Sequence, residues 1–487
     1  MLKLPDNFIT YTSHLLGEPA FQELSKALSN ESPVSIRFNP WKWKPEFLTS
    51  PMDAIPWNEG SSYLPTRPAF TFDPLFHAGC YYVQEASSMF LAHILKTLIS
   101  KPCIMLDLCA APGGKSTLAR SVLPDESILV SNEIIRTRAQ VLAENMVKWG
   151  HPRTIVTQNA PSDFAEIPHL FDVILADVPC SGEGMFRKDP VAISEWSTSN
   201  VDTCWKRQRA IVSDIWECLK PGGLFIYSTC TYNALENEEN VQWIIKNLGA
   251  EIITIPTVPN WGIQGDATGL SLPVYRFTPS HIRGEGMFMA VLRKPADEAV
   301  PKEQQAFQGL EMPLSVRKEE KRSHTKIQRS QGKGKNSTTT PITTCLSWLT
   351  QSEDYHWEAN SDSLNALPLQ MLPITKLLSQ HLNILHAGIP IATLKGRDWI
   401  PHHALSMSRA LNPNAFPQYG LNYKDAIAYL RHESVTLGSE VPRGYVLLTY
   451  HNIPIGFAKN VGNRANNLYP NEWRIRSGYA PMEAVEL

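Results

Sequence analysis

Between Cys103 and Leu292, short apolar runs alternate with helical stretches, and this alternation commits the region to a mostly parallel, doubly wound α/β sheet. The runs are Cys103 to Cys109, Ser127 to Glu133, Thr154 to Thr157, Asp172 to Ala176, Leu224 to Thr229 and Met287 to Leu292. Helices are expected from Thr117 onward, from Ile135 to Trp149 and from Thr203 to Leu219. Ligands of such sheets bind outside the carboxyl ends of the strands. Residues at those ends are therefore the candidates for chemistry.

Two strand ends carry a thiol. One run leads into Asp177-Val178-Pro179-Cys180-Ser181-Gly182-Glu183-Gly184, another into Tyr227-Ser228-Thr229-Cys230-Thr231. A lone Cys is most often a small buried hydrophobe. Two at two strand ends, one beside an Asp, point to thiol chemistry instead. The eight cysteines include no Cys-x-x-Cys pair, so no metal site is expected, and free thiols in a reducing cytoplasm are.

A chain of 487 residues implies about three domains. Its 43% apolar and 19% charged residues are those of a soluble globular protein. It has no run of 18 apolar residues, so no membrane span is expected, and its start lacks the apolar region of a secretory signal. A net charge of −2 gives no global sign of nucleic-acid binding, which would have to rest on local patches.

The loop Cys109-Ala110-Ala111-Pro112-Gly113-Gly114-Lys115 is Gly-rich but lacks the spacer of a P-loop. Asp107 stands in the first strand and Glu133 ends the second, where an acid can accept both hydroxyls of a ribose. Close backbone at Gly113 and Gly114 suits the methionine part of S-adenosylmethionine. NAD is the competing cofactor, disfavoured by the missing G-x-G-x-x-G.

Outside this region, Phe21 to Leu28 reads as a helix, Ser35 to Asn39 as a strand, and Tyr82 to Phe90 as the entry to a helix through Leu98 capped by Ser87 or Ser88. Trp41, Trp43 and Trp57 among Lys42 and Lys44 are either core residues or a base-stacking patch. From Arg317 to Lys335 eight Lys or Arg face two Glu, a pattern of a solvated linker or a basic arm on RNA. Beyond Pro341 come a helix at Ile374 to Leu382 and strands at Gly388 to Gly396, Gly444 to Tyr450 and Pro454 to Lys459, which suggest a small β-barrel.

Cys109 to Lys115, Asp177 to Gly184, Arg187-Lys188-Asp189-Pro190 and Ser228-Thr229-Cys230-Thr231 resemble, in order and spacing, the NOL/NOP/Sun family of RNA cytosine-5 methyltransferases. The tail, with Lys395-Gly396-Arg397, Pro454 to Lys459, Tyr469-Pro470 and Trp473-Arg474, is similar to a bacterial branch whose members methylate small-subunit ribosomal RNA. The resemblance implies a Rossmann-like methyltransferase core with a seven-stranded mixed sheet, a small α+β N-terminal domain and a C-terminal PUA-like β-barrel. The expected division is 1–75, an N-terminal RNA-binding domain; 76–296, the catalytic domain; 297–340, the basic linker; 341–385, an intermediate domain; and 386–487, the PUA-like domain.

By the same resemblance, Cys109, Ala110, Ala111, Pro112, Gly113, Gly114, Lys115, Glu133, Asn159 and Asp177 line the S-adenosylmethionine site. The family often has Asp where Asn159 stands, and the Asn carbonyl oxygen is expected to take the adenine amine instead. Cys230 is implied as the nucleophile that adds to carbon-6 of the base. Asp177 would hold ring nitrogen 3 and the exocyclic amine, Cys180 would assist release, and Lys115 and Lys188 would orient the base or stabilise charge. Arg37, Lys188 and tail lysines would position the RNA backbone. The residues alone do not rank the thiols, because DNA cytosine-5 methyltransferases use the Cys of a Pro-Cys pair, here Pro179-Cys180. The implied substrate is 16S ribosomal RNA in the small subunit, met by a monomer. Transfer RNA, or a catalytically silent assembly factor on the same fold, are the alternatives.

Overall fold

A computed structural model describes residues 3–48, 51–296, 343–462, 464–479, 481 and 483–485. The basic segment Arg317 to Lys335 lies outside the described residues. No helix among the described residues is long and apolar enough to cross a membrane.

Helices α1 (Asp6–Leu16) and α2 (Glu18–Leu28) form a hairpin turned at Gly17, whose φ of 81° suits a residue without a Cβ. Strands β1 (Val34–Phe38), β2 (Asp53–Ala54), β3 (Ser61–Leu64) and β4 (Tyr81–Val83) follow, with α3 (Pro74–His77) between the last two. They pair in the order β2-β3-β1-β4, so this sheet reaches past the expected boundary at residue 75, which falls inside α3.

The alternation then appears as α4 (Phe90–Leu98), β5 (Ile104–Asp107), α5 (Gly114–Val122), β6 (Ile128–Asn132), α6 (Arg136–Trp149), β7 (Thr154–Thr157) and β8 (Phe171–Asp177). It continues through α7 (Pro190–Glu195), α8 (Thr198–Trp216), β9 (Leu219–Thr229), α9 (Glu238–Leu248), β10 (Glu251–Ile252), β11 (Tyr275–Phe277) and β12 (Met287–Arg293). Strands β7, β6, β5, β8 and β9 are parallel neighbours, and β12 adds antiparallel to β9. These strands are almost wholly buried, which is why they read as continuous apolar runs.

The expected seven-stranded mixed sheet is extended to nine. Two short strands, β10 and β11, share the outer edge of β12. At the other edge a strand of the C-terminal half, Ile384–Ala387, pairs with β7.

That half contains α10 (Thr343–Leu346), β13 (Tyr355–Ala359), β14 (Ser363–Pro368), α11 (Leu372–His381), β15 (Ile384–Ala387), β16 (Ile389–Lys395), β17 (Asp398–Pro401) and α12 (His403–Met407). It ends with β18 (Gln418–Gly420), α13 (Tyr423–Leu430), β19 (Gly444–Tyr450), β20 (Ile453–Asn460) and β21 (Ala465–Asn467). Two four-stranded sheets result, β13-β14-β16-β17 and β18-β19-β20-β21, packed together through Ile389, Ile391, Leu447 and Phe457. Because β14 pairs with β16, the expected division at 385 runs through a sheet.

Several polar residues of the first hundred weld the parts together rather than face a ligand. Arg37 was expected to position RNA; instead it is buried, with Nε donating to Gln84 Oε1 at 2.9 Å, Nη2 to Thr117 Oγ1 at 2.6 Å, and its guanidinium 4.4 Å from the centre of the Trp149 ring. Lys42 Nζ donates to the carbonyls of Ala78 and Lys148 at 2.8 and 2.6 Å, and Asn39 Nδ2 to that of Trp149 at 3.0 Å. Together they satisfy carbonyls that α6 leaves free at its C-terminal end. Trp57 is buried with its indole N–H on the Ala86 carbonyl, and Trp43 stacks on Phe38 at 4.2 Å, so both are packing residues. Neither expected serine accepts from an N–H at the start of α4: the Glu85 carboxylate accepts from the N–H groups of Ser87 and Ser88, at 2.8 and 2.9 Å, while the Ser88 hydroxyl donates back to the Glu85 carbonyl at 2.6 Å.

The α1–α2 hairpin packs Phe8 against Phe186 and Trp196, at ring separations of 5.0 and 5.6 Å. Replacing Phe8 by Ala is expected to cost about 3–5 kcal/mol of local stability. Amide hydrogen exchange should then rise in α1, α2 and residues 183–196. Unaltered exchange in 183–196 would show that the hairpin does not support that loop.

Candidate active site

The parallel register of β8 and β9 sets Asp177 opposite Ser228, so both strands end at one edge and the next residues emerge side by side. Cys180 and Cys230 meet there with their sulfurs 3.1 Å apart, and the Cys230 N–H points at Cys180 Sγ from 3.3 Å. The contact with Cys230, and burial, push the Cys180 thiol well above its ordinary pKa. That shift favours the protonated form of Cys180, and either sulfur can donate in the contact between them. Asp177 accepts from Lys115 Nζ at 2.8 Å and, through its other oxygen, from the Ser228 hydroxyl. Burial pulls the Lys115 ammonium down, yet the Asp177 carboxylate outweighs it and holds Lys115 above its ordinary value. Asp177 keeps 28% of its side chain exposed, so a ligand can reach it. Lys188 lies 4.0 Å from Glu285, not at Asp177.

Two buried glutamates that the sequence reading passed over fix the loops beyond the thiols. Glu183 accepts from the N–H groups of Tyr232 and Asn233 at 2.7 and 2.9 Å, and from the Trp196 indole at 2.9 Å. Glu236 accepts from the Ser181 N–H at 3.0 Å, from Gln208 Nε2 at 2.6 Å and from Asn233 Nδ2 at 2.7 Å. A carboxylate hidden from water is tolerated when several donors replace the solvent. The available signal was an acid three residues after one cysteine and six after the other. Gly184 sits where a Cβ would come within 2.9 Å of the Cys230 carbonyl and 2.4 Å of that of Gly286, so only glycine allows this approach.

At the ends of β5 and β6 the Cys109 to Lys115 loop folds into a cradle. Gly113, at φ 114°, starts α5. The loop is tied down by the Ala110 N–H on the Asn132 carbonyl at 2.8 Å, Arg138 on that of Ala111 at 2.9 Å and Asn145 on that of Pro112 at 2.8 Å. Burial and the charge of Asp177 push the Cys109 thiol upward, which disfavours its thiolate. Asp107 accepts from Ser116 at 2.6 Å through one oxygen, while the other is buried with no protein partner. Burial pushes its carboxyl up to about 7. Glu133 accepts from the Ile135 N–H at 3.0 Å and faces Arg138 at 3.5 Å. An orphaned carboxyl oxygen, glycine backbone and a second acid at the next strand end fit a cationic nucleoside with no phosphates.

Asn159 differs from expectation. Its carbonyl oxygen already accepts from the Asn383 N–H at 3.0 Å, and its amide donates to Asp163 at 3.2 Å. The buried Asn132, not foreseen, ties this corner together: it donates to the carbonyls of Leu108 and Asn159 and accepts from Thr157 and the Asn159 N–H.

Asp107 yields a test by pH. Its folded pKa of about 7 lies above the ordinary 3.8, so between those values the folded state binds more proton than the unfolded, and the stability it contributes is lost as pH rises through about 7. Urea unfolding should show Asp107→Asn more favourable, relative to wild type, at pH 8 than at pH 5. An equal difference at both values would rule out the shift.

The family description of 16S rRNA methyltransferase RsmB/F matches residues 98–293, that of the N-terminal domain of 16S rRNA methyltransferase RsmF residues 4–86, and that of the methyltransferase RsmF PUA domain residues 416–475. Among solved structures, a methyltransferase homologue from Pyrococcus horikoshii is 25% identical with a TM-score of 0.52, covering 60% of this chain and 96% of that one. NSun6 from the same organism, solved with SFG, shares the fold at 19% identity and a TM-score of 0.51, over 60% of this chain and 98% of its own. The ribosomal RNA small subunit methyltransferase F of Erwinia tasmaniensis is 28% identical over 96% of this chain and 99% of its own length. That of Pectobacterium atrosepticum is 30% identical over 88% of this chain and 85% of its own. Similarity that runs through the N-terminal region, the catalytic sheet and the tail alike leaves one conclusion: the chain belongs to the RsmF family of 16S ribosomal RNA methyltransferases.

Proposed function

We propose that the chain methylates carbon-5 of a cytidine in 16S ribosomal RNA of the small subunit, through a covalent cysteine–cytosine intermediate. The observation that carries this reading is the pair of sulfurs 3.1 Å apart at the ends of β8 and β9, beside Asp177. Carbon-5 of cytosine is a poor nucleophile, and a thiolate adding at carbon-6 makes it a good one.

S-adenosylmethionine is the cofactor, and when bound it supplies an electrophilic methyl group. Cys109 to Lys115 would hold it through backbone and small side chains, Glu133 through the ribose hydroxyls, and Asp177 at the rim with Asn159, whose carbonyl oxygen keeps a second lone pair beside its bond from Asn383. The target base leaves its stack to enter, at a cost of a few kcal/mol that is least for an unpaired nucleotide. Asp177 accepts a hydrogen bond from the exocyclic amine. The Lys115 ammonium beside it offsets the negative charge that builds on the ring.

Cys230 Sγ, as its thiolate, would add to carbon-6 as the 5,6 double bond opens toward carbon-5, and carbon-5 would take the methyl group of the cofactor, with the neutral thioether as leaving group. Elimination then returns the double bond. The carbon-5 proton passes to Cys180 Sγ as Cys180 gives its own proton to the departing Cys230 sulfur, and the carbon–sulfur bond breaks. The raised pKa of Cys180 supports this assignment, because the release step needs a thiol that is still protonated. Both thiols, Asp177 and Lys115 belong to one chain, so the reaction needs no second copy. The segment 416–475, matched by the family's PUA domain, is a second RNA contact on this reading.

Small ribosomal subunits from cells lacking this protein, incubated with labelled S-adenosylmethionine, should receive label at a cytidine from wild type. Cys230→Ala should transfer none, and Cys180→Ala should accumulate a protein–RNA adduct stable to denaturant. Label on transfer RNA but not on subunits would remove the substrate claim. Activity lost only in Cys180→Ala, without adduct, would exchange the two thiols.

A further inference from the structure

We infer that Glu183 and Glu236 are positioning residues, each holding the thiol that the other one's strand delivers: Glu183 fixes Cys230, and Glu236 fixes Cys180. The inference rests on the reading of both thiols as catalytic. Glu183 belongs to the loop that follows Cys180, yet the N–H groups it accepts from are those of Tyr232 and Asn233, just after Cys230. Glu236 belongs to the loop that follows Cys230, yet it accepts from the N–H of Ser181, the residue next to Cys180. The contacts cross. Asn233 Nδ2 lies between the two carboxylates, 3.1 Å from Glu183 and 2.7 Å from Glu236, and the hydroxyls of Ser181 and Thr231 meet at 2.8 Å.

Crossing has a consequence that a carboxylate bonded within its own loop would lack. Each strand end is referenced to the other, so the backbone next to each sulfur is tied to the loop that follows the opposite sulfur. The residue type fits the task. Tyr232, Asn233 and Trp196 present four donors to Glu183, which a carboxylate can accept and an amide cannot, since the amide turns an N–H₂ group toward some of them. On the other side Gln208 Nε2 bonds both Glu236 and the Pro179 carbonyl, at 2.6 and 3.0 Å, so the residues flanking Cys180 share one buried anchor. Neither glutamate touches a reacting atom. Both act through backbone.

The test uses the full-length protein with Glu236→Gln and Glu183→Gln, compared with Cys180→Ala and Cys230→Ala on small subunits with labelled S-adenosylmethionine. Each glutamine variant should reproduce the defect of the thiol it positions. Glu236→Gln should lower kcat by about a hundredfold, the loss that a 1 Å misplacement can cause. Its KM for the subunit should stay unchanged, and it should accumulate the same covalent adduct as Cys180→Ala. Glu183→Gln should lose turnover without adduct, and should suppress the adduct when combined with Cys180→Ala. Iodoacetamide labelling read by peptide mass gives a measure free of RNA and cofactor: Glu236→Gln should change the rate at Cys180 and leave Cys230 alone, and Glu183→Gln the reverse.

If Glu236→Gln fails to fold, Gln208→Ala leaves Glu236 in place, removes one of its donors together with the acceptor of Tyr227 and Asn240, and should give the same adduct phenotype in milder form. The inference is overturned if the two glutamine variants share one phenotype, or if turnover falls only with the folded fraction. Failure of the underlying reading looks different. There the Cys180→Ala and Cys230→Ala phenotypes themselves depart from those expected, while the crossed labelling pattern persists.

Discussion

The parallel pairing of β8 with β9 is the interaction on which the rest of the molecule depends. Its register places Asp177 opposite Ser228, and a slip of one residue would turn every side chain of a strand to the opposite face. Register is held here by burial on both faces, with Val173, Ile174, Leu175 and Ala176 against Phe225, Ile226 and Tyr227, all at or near zero exposure. The ladder between β8 and β9 ends with the Val178 N–H on the Ser228 carbonyl, and beyond it one further backbone bond, from the Gly184 N–H to the Cys230 carbonyl, links the two loops. Past that point the chain must keep two polar loops close together, and it does so with buried carboxylates surrounded by donors in place of apolar packing.

The parts surrounding the sheet serve that edge from a distance. The N-terminal hairpin packs Phe8 on the loop that follows Cys180, and Tyr11 accepts from the Ala234 N–H in the loop that follows Cys230. The N-terminal sheet is joined to the C-terminal one by a common core, in which Ile36, Leu75 and Tyr81 meet Val446, Leu448 and Ile455. Arg37, Lys42 and Asn39 then bind that assembly to α5 and α6, which flank the cradle. Residues that look like an RNA-facing patch when read along the chain are here engaged with carbonyls and rings.

Legibility in the sequence followed the distance over which each feature is determined. The strands from β5 to β9, with β12, were readable because a strand covered on both faces needs a continuous apolar run, and the thiols were readable because they directly follow such runs. The fates of Arg37 and Lys42 were not, because their partners, Thr117 and Lys148, lie far along the chain. Glu183 and Glu236 look like surface acids until folding brings the N–H groups of the opposite loop to them. Asn159 was placed at the right strand end, but its carbonyl oxygen is taken by Asn383, a contact supplied by the other half of the protein. Helix α1 went unread because its apolar positions, Phe8 among them, are few and find their partners on the catalytic loop.

The pairing of β15 with β7 gives the two halves of this chain an unequal independence. A piece cut to the catalytic segment alone would carry a raw flank: the backbone groups of Ile155 to Thr157 would lose their ladder, and Ile155, Phe164 and Leu170 would lose the apolar cover of Met371, Ile374 and Leu378. Such a flank is an invitation to aggregate. Modules that are separable on paper are thus spliced in space, and a transplant of this catalytic unit into another protein would have to bring a substitute for the strand it leaves behind.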